Sequence, residues 1–277
     1  MSTSSSEIAI SPIRHIWRGA LATCAYECKR GLTWQRISVS LVLAFFPPVM
    51  LFFFLLGLNT GNEVDPVAFV KIVIYFLVGL VCLLSILLWT TTNMYSELEG
   101  KSWIFVASRP FGRLSLLFGK YLASVVQSSA IAQTGLILAT LTANHMGVMA
   151  DVNKFYFSTA AIFLLASLSY SAVLSLIGVI FTKRAMVFGA VYLIGVEFIV
   201  ANIPAIIGRF TLRQHLQELG ISWNGWFLPD GQDEFDQMFG NYPDWLNLVC
   251  IASISIASLV AASFIISSRE YLTGDET

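Results

Sequence analysis

Charge is scarce in this chain, and its densest chemistry lies between residues 95 and 121. Tyr95-Ser96-Glu97-Leu98-Glu99-Gly100-Lys101-Ser102-Trp103 is followed by Ile104-Phe105-Val106-Ala107-Ser108-Arg109-Pro110-Phe111-Gly112-Arg113, and the stretch closes on Gly119-Lys120-Tyr121. Glu97 and Glu99 end an apolar run, Trp103 to Val106 give a short helix an apolar side, and Arg109 and Arg113 flank Pro110. Pro110 removes a helical hydrogen bond and disfavours helical backbone at Arg109, while Gly112 is expected to relax the turn. The product is a rigid, charged protrusion, suited to gripping a soluble surface. It is not built for nucleotide hydrolysis. A phosphate loop reads GxxxxGK[ST], whereas six residues separate Gly112 from Gly119-Lys120, and Tyr121 stands where the magnesium-binding hydroxyl would be.

Other reactive side chains are scattered. His15, His145 and His215 fall on different segments, and neither HExxH nor GxSxG occurs. Cys24 and Cys28 lie one helical turn apart and read as small apolar residues on a helix face; Cys82 and Cys250 fall within apolar runs. No disulfide or metal site is implied. One acid, Glu197, sits deep in an apolar stretch, with Asn202 and Pro204 beyond it. A carboxylate there costs about 2.5–3.5 kcal/mol on insertion scales, so it must be protonated or hydrogen-bonded to Ser, Thr or Asn of a neighbouring helix. Two roles stay open for Glu197 and Asn202: a group facing a transport path, or interhelical glue.

The elements that position these groups are membrane spans. The chain is 56% hydrophobic and 12% charged, about half the ~25% charge of soluble domains. Six apolar stretches, near 39–58, 69–92, 118–143, 155–181, 185–207 and 245–267, are long enough to cross a bilayer core as helices. Their continuity excludes alternating barrel strands. With an inside amino terminus, 12 of the 16 Lys and Arg residues face inward, leaving Lys71, Lys154, Arg209 and Arg213 outside, which places both termini on the cytoplasmic side. The expected fold is an all-α integral membrane protein of six transmembrane helices. Residues 1–10 form a Ser-rich disordered start and 11–277 a single domain. Residues 1–35 lack the apolar core of a signal peptide.

Ser11-Pro12 reads as a helix start, and Ile13, Ile16, Trp17, Ala20, Leu21 and Cys24 recur at helical spacing, with Arg14 and Arg18 on another face. That is an amphipathic helix for the inner headgroup level. Pro47-Pro48 predicts a kink in the first span. Thr182-Lys183-Arg184 is too short for anything but a tight hairpin between spans four and five. In the outer segment 208–244, Leu212, Leu216 and Leu219 line a short helix that Gly220 is expected to end, before aromatic residues interleave with acids. That segment reads either as a cap over a translocation route or as an interfacial collar.

At residues 97–121 the chain resembles the type-2 permease family of ATP-binding-cassette transporters. In that family the first cytoplasmic loop carries an acidic pair, a short coupling helix, an Arg-Pro turn with a second Arg, and a Gly-Lys helix start. The six-span layout, the interfacial entry helix and the large connection before the last span resemble the family too. The resemblance implies a permease subunit, an exporter in a plasma (bacterial inner) membrane. It would be powered by a separate nucleotide-binding ATPase subunit that carries the ATP and magnesium, and paired with a second permease half as a homodimer. Glu97, Glu99, Arg109, Pro110 and Arg113 would then contact the ATPase. The chain itself would hold no cofactor, metal or catalytic group, and nothing in its charge pattern suits nucleic acid. Two other classes are a non-transporting scaffold or receptor that uses segment 208–244, and an ion-coupled secondary carrier built on Glu197.

Overall fold

The computed structural model describes residues 12–57, 66–98, 111–148, 152–181, 184–200, 210–224 and 243–268. All of its described regular structure is helical. The helices are α1 (Pro12–Gly31), α2 (Trp34–Gly57), α3 (Pro66–Leu98), α4 (Gly112–His145), α5 (Val152–Ile180), α6 (Ala185–Tyr192), α7 (Leu212–Asn224) and α8 (Asp244–Ser268). A π-helical stretch, Leu193–Ile199, continues α6.

Five of these helices (α2, α3, α4, α5 and α8) are long and apolar enough to cross a membrane. They overlap the stretches expected from the sequence, each extended by a few residues at one or both ends. The expected span at 185–207 is described only as far as Val200. Its described part is the shorter apolar helix Ala185–Ile199, about 22 Å long at 1.5 Å per residue, short of a ~30 Å core. Asn202 and Pro204 lie outside the described residues.

Burial sorts the helices. In α5, 72% of the apolar window is buried, against 17% in α2 and 22% in α8, so α5 is the central post and the other two leave most of their surface uncovered by the rest of the chain. Small residues allow this: Ser167, Ser169, Ala172 and Ser175 of α5 are all buried, and such side chains let helices approach closely in a bilayer, where apolar burial gives no drive. The main core joins α3, α4, α5 and α7 through Ile74, Val78, Leu136, Ile162 and Leu216, among others.

Pro47 and Pro48 are buried inside α2, which is helical on both sides of them. A Cβ added at Gly135 of α4 would lie 3.4 Å from the Ala44 carbonyl oxygen and 3.5 Å from Pro47, so α4 comes against the proline pair through a residue without a side chain. At the α5–α6 hairpin the rings of Phe181 and Phe188 stack with centroids 3.9 Å apart.

Helix α1 packs along α4. Its buried stripe runs through Ala20 and Glu27, with Ile16 and Thr23 half-buried, while Trp17 and Leu21 stay exposed beside Arg14 and Arg18. This corrects the simple apolar face expected for it. The helix sets its small residues and Glu27 against α4, and the half-exposed Trp17 also stacks on Phe118 of α4 with ring centroids 6.4 Å apart.

Helix α7 buries Leu212, Leu216 and Leu219 as expected, but it runs on past Gly220 to Asn224. Gly220 serves a close approach instead: a Cβ there would fall 2.8 Å from the Tyr75 hydroxyl of α3. Residues 225–242, with the aromatic and acidic part of the expected outer segment, lie outside the described residues.

Candidate functional site

Two polar centres stand out in an apolar bundle. The first joins α1 to α4. A Cβ at Gly119 would meet the Ala20 carbonyl oxygen at 2.7 Å and Thr23 Cβ at 2.5 Å, so only glycine permits this crossing. One residue on, Lys120 Nζ lies 3.0 Å from Glu27 Oε1, and both side chains are 1% exposed. Gln127 Nε2 donates to the Glu27 carbonyl oxygen at 3.1 Å, and Ser115 Oγ donates to the Ile16 carbonyl oxygen at 3.2 Å. A fully buried pair holds only while both charges are present. Lys120, expected as one more inward-facing charge, is thus committed to α1.

Phe111, which precedes α4, has φ 60° and ψ 9°, a left-handed conformation that is an outlier for a bulky residue. The expected relaxing residue was Gly112; the strain sits on Phe111 instead. Arg113 Nη1 donates to the Ser267 carbonyl oxygen at 2.9 Å, closing the carboxyl end of α8 with a cation. Glu97 lies in the last turn of α3, and its side chain, together with Glu99, Arg109 and Pro110, falls outside the described residues.

The second centre is Glu197, fully buried in the π-helical stretch. Tyr170 Oη donates to its Oε2 at 3.0 Å, Tyr192 Oη to its Oε1 at 2.7 Å, and the Arg213 backbone N–H to Oε2 at 2.8 Å. The π-helix explains one of these bonds. Residues five apart on an α-helix project about 140° from each other, whereas the i→i+5 pattern brings Tyr192 and Glu197 to one side. Arg213 lies in the first turn of α7, so the carboxylate accepts one of that helix's orphan donors and lies at the positive end of its dipole. Thr211 supplies a second cap, its Oγ1 accepting from Gln214 N at 3.4 Å. The partners are therefore two tyrosines and a backbone amide, not the Ser, Thr or Asn expected.

The Arg213 guanidinium turns back on the same segment. Its Nη1 donates to the Glu197 carbonyl oxygen at 3.3 Å, and its Cζ lies 4.3 Å from the Phe198 ring centroid. The sequence places Arg213 in an outer loop; in the structure it is half-buried against the bundle. Beside it α3, α5 and α7 enclose a cavity of about 310 Å³ whose polar lining includes Arg213, Tyr170, Tyr75 and Gln217. At its far end α7 is tied to α8: Trp223 Nε1 donates to Asp244 Oδ2 at 3.0 Å and Ser222 Oγ at 3.2 Å.

Sequence reading missed Glu27, Tyr170, Tyr192 and Arg213 as site residues. Glu27 had a legible signal, being the one acid of α1, seven residues after Ala20 on the same face. The two tyrosines had none, because the Tyr192–Glu197 spacing is wrong for an α-helix. Cys24 and Cys28 are free and half-buried; burial and then the neighbouring Cys28 push the Cys24 thiol up to about 11. Among the described residues, no three His, Cys, Asp or Glu side chains gather as a metal site.

The helix lengths and composition define the class: a multi-spanning, all-helical integral membrane protein, of a kind consistent with a role in transport. Comparison with protein-family models, with curated proteins and with solved structures gives no match.

Proposed function

We propose that this chain is the membrane-spanning subunit of an ATP-driven exporter, a type-2 permease working with a second copy of itself and a separate nucleotide-binding subunit. The residues at 97–113 motivate the reading. The observation that carries it is how firmly the far end of that loop is anchored. Arg113 holds α8, Phe111 stores backbone strain at the exit, and the Lys120–Glu27 pair clamps α1 to α4 seven residues later. A push on the loop is then delivered to α1, α4 and α8 together. A loosely held loop would absorb it. The positive-inside charge distribution supports a cytoplasmic side for this end of the bundle, where a soluble ATPase would meet a bacterial inner membrane. ATP, magnesium and hydrolysis belong to that partner, and this chain catalyses nothing itself.

The test is purification of the chain from its native membrane in mild detergent, with mass spectrometry of what accompanies it. An ATPase subunit at near-equal amount, lost when Glu97, Glu99, Arg109 and Arg113 are all charge-reversed, is the expected result. A stable chain that never recovers an ATPase would overturn the proposal.

A further inference from the structure

The cavity between α3, α5 and α7 has the makings of a ligand site that is separate from the loop at 97–113. We infer that it binds a single-chain amphiphile with an anionic head, a long-chain carboxylate taken laterally from the bilayer, with Arg213 as the anchor for the head.

Three observations combine. The first is position. The cavity is walled on one side by Ile72 and Phe76 of the membrane-spanning α3, which are 50% and 53% exposed. Its mouth therefore adjoins surface that faces lipid tails, and an entering molecule need not cross water. The second is size. At about 310 Å³ the space lies at the small end of the roughly 300–1,000 Å³ range of ligand pockets, fitting one chain in place of a two-chain lipid.

The third is charge. Of the polar groups on the wall, the Tyr75 hydroxyl already donates to the Leu216 carbonyl oxygen at 3.2 Å, and the Tyr170 hydroxyl to Glu197. The Glu197 carboxylate is taken up by Tyr170, Tyr192 and the Arg213 backbone N–H. The Arg213 guanidinium is held over the cavity by the Glu197 carbonyl oxygen and the Phe198 ring, and no carboxylate of the described residues lies within 4.0 Å of it. A planar cation with donors to spare, at the edge of a low-dielectric space, selects a carboxylate.

The chain of the ligand contributes little to this choice. A tail leaving lipid for an apolar cavity exchanges one apolar surround for another, so preference must come from the head. The site should then distinguish an acid from the alcohol of equal length. The same geometry couples occupancy to the fold, because Arg213 and Tyr170 line the cavity and also hold the π-helical stretch.

The inference does not rest on ATP coupling, since binding is read without nucleotide or partner. The experiment uses the full chain in phosphatidylcholine nanodiscs with a photoreactive long-chain fatty acid, followed by peptide mapping. Label is expected on the cavity-lining parts of α3 and α5, displaced by unlabelled palmitate and not by hexadecanol. Arg213→Gln should weaken palmitate competition roughly tenfold or more, the change expected for losing one charge-assisted hydrogen bond. Gly79→Leu keeps Arg213 and fills the cavity from α3. The glycine's nearest neighbour for an added Cβ is Phe163 at 3.6 Å, an ordinary contact, so the variant should fold and lose the label. Equal competition by hexadecanol would overturn the anionic head. Label spread over all lipid-facing helices and unchanged in both variants would overturn the site.

Discussion

Glu27 and Lys120 show what a buried pair demands of its neighbours. Each is expensive alone in an apolar contact and tolerable only with the other present. Glu27→Leu or Lys120→Met alone should each destabilise the folded chain by about 3–5 kcal/mol, whereas the two together should recover most of that loss. Thermal unfolding of the four proteins in one detergent checks this, and additive losses would show that the residues act separately. Glu197 gives a different test. Glutamine keeps an acceptor for the Arg213 amide, and the tyrosine hydroxyls rotate to suit the other atom, so Glu197→Gln should be mild. Glu197→Leu orphans three donors and should cost several kcal/mol, on the order of 1–3 for each. If Glu197→Gln instead abolished an otherwise folded protein's transport, proton transfer would be the role of this carboxylate. At Cys24 the sign follows from its surroundings. With the thiol pKa raised from 9.0 to about 11, less thiolate exists at any pH below that value. Alkylation at pH 8 should therefore be far slower than for a free thiol and rise steeply above pH 10, as timed mass spectrometry would record.

Among the elements, α1 and α7 are the ones whose placement the bundle had to decide. Helix α1 is held by a crossing that admits no side chain at Gly119, where the nearest atoms include the Ala20 backbone oxygen. Backbone does not yield as a flexible side chain does. Gly119→Val should therefore lift α1 from α4 while leaving the spans folded, seen as faster hydrogen exchange across Pro12–Gly31 with α5 unchanged. Helix α7 is fixed at both ends, by Glu197 at the start and by Asp244 near the finish. Its polar residues Gln214, His215 and Glu218 are buried too, with His215 Nδ1 2.7 Å from Asn247 Oδ1 of α8. A helix read from the sequence as an outer segment is thus packed into the bundle at one end.

For the whole molecule, the described helices create two distinct ends. Leu32 and Ser268 belong to the end that carries α1 and the start of α4, and Met146 and Ser222 to the end that carries α7; all four are exposed. Cysteines placed at Leu32 and Ser268 in a cysteine-free background should react with a membrane-impermeant reagent from one face only, and those at Met146 and Ser222 from the other. On the orientation proposed above, the first pair faces the cytoplasm. Reaction of the first pair from outside would invert the topology and remove the docking role proposed for the segment at 97–113.

What the amino-acid sequence determined by itself is what depends on composition and local period. Long apolar runs with scarce charge have one stable form in lipid, so five spanning helices, a helix at the entry (though not the face it buries) and the buried leucines of α7 were legible, and Glu197 was marked because an acid in such a run is costly wherever it points. Which groups meet that acid was left to the tertiary structure. Tyr170 is 27 residues away on another helix, Arg213 returns to it after a reversal of the chain, and Tyr192 reaches it only because the helix locally departs from α-helical geometry. Likewise Lys120 looked like one more positive-inside charge until α1 brought Glu27 against it. Pairings of this kind depend on which helix faces which, and no local period encodes that.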